Sequence, residues 1–296
     1  MRTSERPQTG DFVSLMSPRL RIIVVAPACG LKRETADRVL ALAAARFGGK
    51  APEIVFHPQC FLSDGHFAGP DAERGAAFLN AANDPSFDAV WFARGGYGSC
   101  RLGDGVYDRL NETARTKTYL GYSDLGMVLA RLYRERIGRP VHGPMPADIN
   151  RAGGEAAVGR ALDYLTRGDA ATLEQSARSG NPVIAFNLTI LSHLLGTPHE
   201  PDLSGHVVMV EDVSEYMYRI DRALFHVTSS PNFRRAAGLR LGRVSDILPN
   251  DPDFRKNEEE IARYWCERSG VPFLGRADIG HDADNKVVPF GGAGVV

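Results

Sequence analysis

The feature that most restricts the fold of this chain is an alternation of short apolar runs with amphipathic helical patterns between residues 21 and 142. The run RIIVVAPA precedes a helical pattern from Thr35 to Phe47, whose apolar residues recur on one face. The runs EIVFH, DAVWFA and TYLGYS precede further helical patterns at Asp71–Asn83, after Ser99 and at Asp124–Glu135. Strands that alternate with helices predict right-handed βαβ crossovers and a parallel sheet, with ligands bound beyond the carboxyl ends of the strands.

A second unit follows a stretch in which this pattern weakens. Residues 151–182 hold one predicted helix near Glu155–Leu165 and then a polar segment, which together indicate a linker. Beyond them, the strand runs HVVMVED and LRLGRV lie among helical patterns at Asn187–Leu195, Ile220–Val227 and Glu258–Cys266. We therefore expect an α/β fold: a parallel-sheet domain of the flavodoxin or Rossmann type at residues 19–150, and a smaller C-terminal α/β domain at residues 183–296.

The composition excludes several function classes. With 35 Lys and Arg against 36 Asp and Glu, the formal net charge is -1, so no overall field attracts nucleic acid or an anionic membrane. The 4 cysteines lack any C-x-x-C spacing, which argues against a zinc site and against a disulfide scaffold. We predict that the protein requires no metal and no organic cofactor.

The N-terminal residues carry neither the pattern of a secretory signal nor that of a membrane span. No apolar segment follows their positive charges, and no run approaches the roughly 18 apolar residues of a membrane helix. Residues 1–18 are polar and predict a loose extension, with Met16 as an alternative start. These observations predict a cytoplasmic protein without membrane contact.

Two strand-to-helix turns combine glycine with groups suited to catalysis. In RGGYGS, residues 94–99, glycines leave backbone N–H groups free to face an anion, although the loop matches neither nucleotide motif and equally suits a turn without a ligand. GYSD, residues 121–124, resembles half of the G-x-S-x-G turn that exposes a nucleophilic serine. Ser123 is thus a candidate nucleophile, and the alternative is that it caps a helix beginning at Asp124.

A serine nucleophile needs a base and an acid that orients the base. Among the 8 histidines, His281 lies in a polar, glycine-containing loop near the C-terminus, which suits a base but is more typical of a solvated loop histidine. Glu211 and Asp212 end the apolar strand VVMV, where a carboxylate either borders a cleft or is simply solvated. The residues alone leave these alternatives open.

Taken together, these segments resemble the LD-carboxypeptidases, a serine peptidase family that includes muramoyltetrapeptide carboxypeptidases and microcin C immunity hydrolases. Besides RGGYGS and GYSD, the similarity rests on HGP at 142–144, on VEDVSE and YRIDRAL between 210 and 224, and on GH, DN and PFG between 280 and 291. Each element is short, but their joint order along nearly the whole chain is specific.

The resemblance implies roles for individual residues. It makes Ser123 the nucleophile, His281 the general base and Glu211 the carboxylate that orients the base. It also implies an oxyanion hole formed by the backbone N–H groups of Gly96 and Asp124. Substrate binding is assigned to the glycine loop, with Arg94, Gly95 and Tyr97. Because the nucleophile belongs to the first domain and its partners to the second, we expect the active site between the domains.

The implied activity is removal of the terminal D-alanine from murein tetrapeptides, in peptidoglycan recycling, by a homodimer in the cytoplasm. Two alternatives stay open: an immunity-type hydrolase of aminoacyl-sulfamoyl or aminoacyl adenylates, and a catalytically silent peptide-binding protein. The sequence departs from the family at Leu125-Gly126-Met127, which changes the packing beneath the nucleophile. It also departs at Asp282, whose charge raises the pKa of His281 if the two groups are buried and close.

Overall fold

The computed structural model describes residues 19–178 and 180–292 and contains two β-sheets, each with helices packed against it. The predicted α/β fold class is therefore confirmed. The predicted N-terminal extension, with its alternative start at Met16, lies outside the described residues. No helix within the described ranges is long and apolar enough to cross a membrane.

The first sheet has six strands in the order β2-β1-β3-β4-β5-β10. Five of them run parallel: β1 (Arg21–Val25), β2 (Glu53–Phe56), β3 (Ala89–Phe92), β4 (Thr118–Gly121) and β5 (Arg139–His142). The sixth, β10 (Val288–Pro289), comes from the other end of the chain and pairs antiparallel with β5. The order of β1 to β5 is that of flavodoxin-like folds, in which ligands bind where the strand order reverses. Here that point lies between the loops that follow β1 and β3.

Helices cover both faces of the first sheet, which explains why its strands are nearly continuous apolar runs. One face carries α1 (Arg33–Phe47) and α5 (Gly154–Arg167), and the other carries α2 (Asp71–Asn83) and α4 (Gly126–Arg134). The helix α5 lies in the stretch predicted as a linker, and its apolar side chains belong to the core of the first sheet. The division into domains at residues 150 and 183 stays a prediction.

The second sheet has four parallel strands: β6 (Val183–Asn187), β7 (Val207–Val213), β8 (Gly238–Ser245) and β9 (Phe273–Arg276), paired in that order. One of its faces carries α6 (Leu188–Leu194), α7 (Met217–Ser229) and α8 (Glu258–Ser269). The helix α8 begins with a capping box, in which Asn257 and Glu260 exchange side chain to backbone hydrogen bonds. Because α4 packs against α6, one apolar core runs from the first sheet to the second.

Three parts of the chain differ from the sequence-based expectation. After residue 98 the chain forms only a 3₁₀ turn (Ser99–Arg101) and a single helical turn, α3 (Asp104–Tyr107), because glycines at 103 and 105 disfavour a longer helix. The strand β6 was not predicted, since all five of its residues are buried and it lacks the alternation of a half-exposed strand. The strands β9 and β10 are too short to produce a pattern.

The loops at the carboxyl ends of the strands meet around one cavity. Loops that follow all five parallel strands, β1 to β5, line it from the first sheet. Val213, at the end of β7, and the loop that follows β9 line it from the second. The fold thus brings residues that are far apart in sequence to a common space between the two sheets.

Candidate active site

Ser123 lies on a sharp turn between β4 and α4. Its φ of 58° falls in the left-handed region, which side chains other than glycine rarely adopt and which stores strain. Ser123 is half-buried, its hydroxyl makes no capping hydrogen bond in the described part of the chain, and α4 begins only at Gly126. The alternative in which Ser123 caps a helix is therefore wrong, and the turn presents the Oγ atom instead.

The glycine loop after β3 packs directly against this turn. A Cβ atom on Gly95 would lie 3.0 Å from the Cβ of Ser123 and 3.1 Å from its Oγ. Gly96 has a φ of +102°, and a Cβ atom there would lie 2.5 Å from the Sγ of Cys29. Both positions therefore need glycine: the first leaves room beside the serine hydroxyl, and the second has no space for a side chain.

Asp124 ties the two loops together through its side chain. Its Oδ2 accepts a hydrogen bond from the backbone N–H of Ser99 at 2.9 Å, and the Ser99 hydroxyl donates to the Asp124 carbonyl oxygen at 2.6 Å. Burial raises the pKa of the Asp124 carboxyl. Within residues 19–178 and 180–292, the N–H groups of Gly96 and Asp124 have no hydrogen-bond acceptor. These two donors are free to bind an oxygen atom beside Ser123.

Glu211 is placed by a bulge in the second sheet. The pairing of β7 with β8 shifts between Val210 and Asp212, so that Gly242 lies beside Glu211, and a Cβ atom on Gly242 would lie 2.9 Å from the Cβ of Glu211. Bulges of this kind re-aim a side chain next to functional sites. Glu211 is fully buried, and its Oε2 accepts a hydrogen bond from Nδ1 of His281 at 2.6 Å.

His281 is a buried imidazole whose pKa reflects two opposing effects. Burial lowers the pKa, and the charge and hydrogen bond of Glu211 raise it by more, so the net pKa lies above the ordinary value of 6.5. Because Nδ1 is bound to Glu211, the other ring nitrogen, Nε2, is left without a partner among the described residues. An imidazole in this state accepts a proton at Nε2, as a general base requires.

Asp282 does not act on His281 in the way the sequence suggested. Its carboxylate forms an ion pair with Arg243, with one hydrogen bond from Nη2 of Arg243 to Oδ1 of 2.9 Å. Asp278 receives a second hydrogen bond from the same guanidinium. Arg243 offsets the charge of Asp282, and the charged groups with the largest effects on the pKa of His281 are instead Glu211, Arg151 and Asp148.

A cavity of about 1250 Å³ collects most of the predicted site residues. Its lining includes Arg94, Gly95, Gly96, Ser123 and His281. Glu211 lies behind His281, and Tyr97 does not line the cavity. The ring of Tyr97 is half-exposed and instead contacts two lining residues, His66 and Phe67, at centroid distances of 6.2 and 6.1 Å. In the described chain, no hydrogen bond joins the side chains of Ser123 and His281.

Several residues around this cavity were not predicted. Cys29 lies 3.3 Å from Nε2 of His66, measured from its Sγ. Tyr122, Asp148 and Arg151 form a connected group next to His281. The position of Cys29 at the end of a strand could have indicated that it borders the cavity. Arg151 offered no such indication, because it lies in the predicted linker. No group of three or more His, Cys, Asp and Glu residues in the described ranges is arranged to hold a metal ion.

Both halves of the chain match models of one protein family. Residues 22–143 match the model described as the LD-carboxypeptidase N-terminal domain, and residues 181–296 match that of the LD-carboxypeptidase C-terminal domain. A Synechocystis sp. protein with a provisional carboxypeptidase name is 30% identical over 281 residues, which cover 93% of this chain and 91% of the relative. The murein tetrapeptide carboxypeptidase of Pseudomonas aeruginosa is 28% identical over 254 residues, covering 78% of this chain and 79% of that protein.

Solved structures share the same fold. The muramoyltetrapeptide carboxypeptidase of Oxalobacter formigenes aligns with a TM-score of 0.74 at 24% identity, over 91% of this chain and 93% of that chain. The protein MccF, solved in complex with glutamyl sulfamoyl guanosine, aligns with a TM-score of 0.74 at 16% identity, over 93% of this chain and 92% of that chain. At these identities the likeness concerns the fold alone.

Proposed function

This chain belongs to the LD-carboxypeptidase family, and on that premise we propose that it is a serine carboxypeptidase that removes the terminal D-alanine from murein tetrapeptides. The observation that carries the proposal is the single cavity lined by both Ser123 and His281, with Glu211 hydrogen-bonded behind the imidazole. The carboxypeptidase names of relatives that cover most of the chain add support. A cytoplasmic location and a homodimer remain predictions from the resemblance.

In the proposed mechanism, Oγ of Ser123 attacks the carbonyl carbon of the last peptide bond. Nε2 of His281 takes the proton from the hydroxyl, while Glu211 holds the Nδ1 proton and stabilises the imidazolium that forms. The imidazolium then donates its proton to the departing amine of D-alanine, which leaves an acyl-enzyme on Ser123. Water, deprotonated by the same imidazole, hydrolyses the ester and restores the serine.

The developing oxyanion is proposed to bind between the backbone N–H groups of Gly96 and Asp124. The absence of a protein acceptor for either N–H, among the residues described, supports this assignment. Asp124 keeps the two donors together, because its carboxylate and carbonyl are both bonded to Ser99 in the glycine loop. Donors that are held in place before the reaction need no reorganisation as charge develops.

The free carboxylate of the substrate is assigned to Arg94. This side chain is exposed, lines the cavity beside Gly95 and has no acidic partner among the described residues. A guanidinium binds a carboxylate through two parallel hydrogen bonds, which suits recognition of a chain terminus. Gly95 contributes space, and Tyr97 contributes indirectly by packing against His66 and Phe67.

The substrate assignment is tested by mass spectrometry of a murein tetrapeptide incubated with the protein in the presence of EDTA. We expect loss of one alanine with wild type and no loss with Ser123→Ala, because Oγ forms the acyl-enzyme. A tetrapeptide that ends in L-alanine is the matched control and stays intact. Cleavage of an aminoacyl-sulfamoyl adenosine in place of the peptide moves the protein to the immunity-type hydrolases, and binding of the peptide without cleavage leaves a peptide-binding protein.

Gly96→Ala tests the oxyanion hole. We expect kcat to fall by about 10² to 10³, because a Cβ atom 2.5 Å from Sγ of Cys29 forces the loop and its N–H group to move. The measurement is steady-state kinetics together with thermal unfolding. Gly103→Ala, in the next loop, is the control, since a Cβ atom there has no neighbour within 4 Å. Unchanged kcat in folded Gly96→Ala would remove Gly96 from the oxyanion hole.

A further inference from the structure

The loop that carries His281 depends on other segments for its position. It connects β9 to β10 and contains no helix and little strand structure between residues 277 and 287. The imidazole ring of His281 is not hydrogen-bonded to Ser123 in the described chain. The two residues also follow strands of different sheets, so no common strand fixes their spacing. Glu211 and Arg243 hold this loop to the second sheet, so the distance from Ser123 to His281 also depends on the contacts that hold the same loop against the first sheet.

Two arginines of the predicted linker donate hydrogen bonds to the backbone of this loop. Nη1 of Arg151 donates to the carbonyl oxygen of His281 at 2.6 Å. Nη1 of Arg160, in α5, donates to the carbonyl oxygens of Ala283 and Asn285 at 2.8 and 2.9 Å. Arg151 thus contacts the base residue itself, and Arg160 holds the residues that follow it.

Arg151 is in turn connected to the turn of the nucleophile. Its Nε lies 3.2 Å from Oδ1 of Asp148, a buried carboxylate whose other oxygen accepts from the N–H of Met145 at 2.8 Å. The same Oδ1 accepts from the hydroxyl of Tyr122 at 2.8 Å. Tyr122 precedes Ser123 in the chain, and its ring lies 4.8 Å from the imidazole ring of His281, measured between centroids. These contacts form a closed circuit from the nucleophile turn to the base.

We propose that Arg151 is a positioning residue, which holds the imidazole of His281 in register with Ser123 through the circuit Tyr122, Asp148, Arg151 and the His281 carbonyl. The inference rests on the proposed function. One guanidinium forms an ion pair with a carboxylate at Nε and donates a hydrogen bond to a carbonyl oxygen from Nη1, in two different directions. A lysine ammonium is a single point charge and does not reproduce this fork.

A substrate-binding role for Arg151 makes a different prediction from a positioning role. Arg151 lines the cavity, so a direct contact with the peptide would appear as a raised KM when the side chain is removed. A positioning residue affects the alignment of Ser123 and His281, and its loss lowers kcat. The ion pair at Nε and the hydrogen bond from Nη1, both to protein groups, favour the second role.

The kinetic test compares Arg151→Met and Arg151→Lys with wild type. We expect kcat to fall by about 10²-fold in Arg151→Met, because displacements of about 1 Å in a catalytic group have effects of this size. KM should stay within about twofold of wild type, and Arg151→Lys should recover part of kcat. Arg167→Met, which changes an arginine of α5 that pairs with Asp163 instead of the loop, is the matched control with unchanged kinetics.

The pH profile provides a signature that a purely structural role would not produce. The charged groups facing His281 are Glu211 and Asp148, which raise the pKa of the imidazole, and Arg151, which lowers it. The nearby Tyr122 hydroxyl has its pKa raised by burial, and burial lowers the pKa of His142 to about 3, so both are neutral. Removing the cation in Arg151→Met should therefore shift the acidic limb of kcat/KM to higher pH.

A readout without substrate separates this inference from the proposed function. The Nδ1 proton shared by His281 and Glu211 is observable as a downfield proton resonance, which should broaden or shift in Arg151→Met and in Tyr122→Phe, while circular dichroism stays native. A changed resonance in a protein that leaves the murein peptide intact refutes the proposed function and supports the circuit. The inference is overturned if wild type cuts the peptide and Arg151→Met has the same kcat, pH profile and proton resonance as wild type. If Arg151→Met is unfolded, the same measurements of kcat, pH profile and proton resonance on Arg151→Lys and Tyr122→Phe test the inference.

Discussion

Ser123→Ala is expected to lower kcat on a murein tetrapeptide by about 10⁶-fold, since removal of the nucleophile of a serine triad has an effect of this order. The proposed oxyanion donors at Gly96 and Asp124 and the buried pair of Glu211 with His281 remain in the variant. They cannot form an acyl-enzyme without Oγ. The residual rate is measured by mass spectrometry of samples quenched at successive times. Turnover close to that of wild type would refute the assignment of Ser123 as the nucleophile.

Ser123→Gly is the matched variant that separates catalysis from strain. The φ of 58° at this residue is unfavourable for alanine and acceptable for glycine. We expect both variants to be inactive, and Ser123→Gly to have a free energy of unfolding about 1 kcal/mol above that of Ser123→Ala. Urea unfolding of the two proteins checks this. Equal stabilities would mean that the turn relaxes when the hydroxyl is lost.

Glu211→Gln is expected to lower kcat by about 10⁴-fold, as amide replacement of the carboxylate in a serine triad does. The amide keeps the shape of the side chain but no longer stabilises the imidazolium. Glu215→Gln is the control, because Glu215 lies near the end of the same strand and pairs with Arg219 instead of a histidine. Retention of full activity in Glu211→Gln would remove the carboxylate from the mechanism.

The same variant predicts a shift in the pH profile with a defined sign. In wild type, burial lowers the pKa of His281 and Glu211 raises it by more, so activity that needs a neutral imidazole rises only above the ordinary value of 6.5. Without the charge of Glu211, burial prevails, and the acidic limb of the residual activity moves to lower pH. This direction is opposite to that expected for Arg151→Met.

Stability should depend on pH in the reverse sense to activity. A histidine whose folded pKa exceeds its unfolded value stabilises the protein fully below the unfolded pKa, and this contribution is lost as the pH rises through the folded pKa. For His281 the loss begins near 6.5 and continues to the raised folded value. The pH that activates the base therefore removes part of the stabilisation that its protonated pair with Glu211 provides.

Periodicity predicted much of the first sheet and its helices. Asp71–Asn83 is a helix with the predicted limits, because its apolar face recurs regularly and a proline precedes it. The fully buried β6 could not be distinguished from part of a helix, since a short apolar run carries no period. The helix predicted after Ser99 is reduced to a 3₁₀ turn and a single helical turn, because the glycines of this segment have a low helix propensity.

The candidate site divides in a similar way. Ser123, Glu211 and His281 each stand in a short motif at a strand end or in a polar loop, and the family resemblance could therefore assign a role to each, although the residues alone left alternatives open. Arg151 could not, because its partner is a backbone carbonyl, which every residue type presents. The role of the Asp124 side chain could not be predicted either, because its hydrogen bond to Ser99 forms only where two loops meet in the folded chain.

The pairing of β10 with β5 has a consequence for biosynthesis. The edge of the first sheet is completed by Val288 and Pro289, which are among the last residues described, and the His281 loop is anchored at one end by this pairing. A ribosome therefore delivers Ser123 about 165 residues before the strand that anchors the His281 loop. Nascent chains that end before β10 lack this anchor, so we expect the proposed peptidase activity to require synthesis through residue 289.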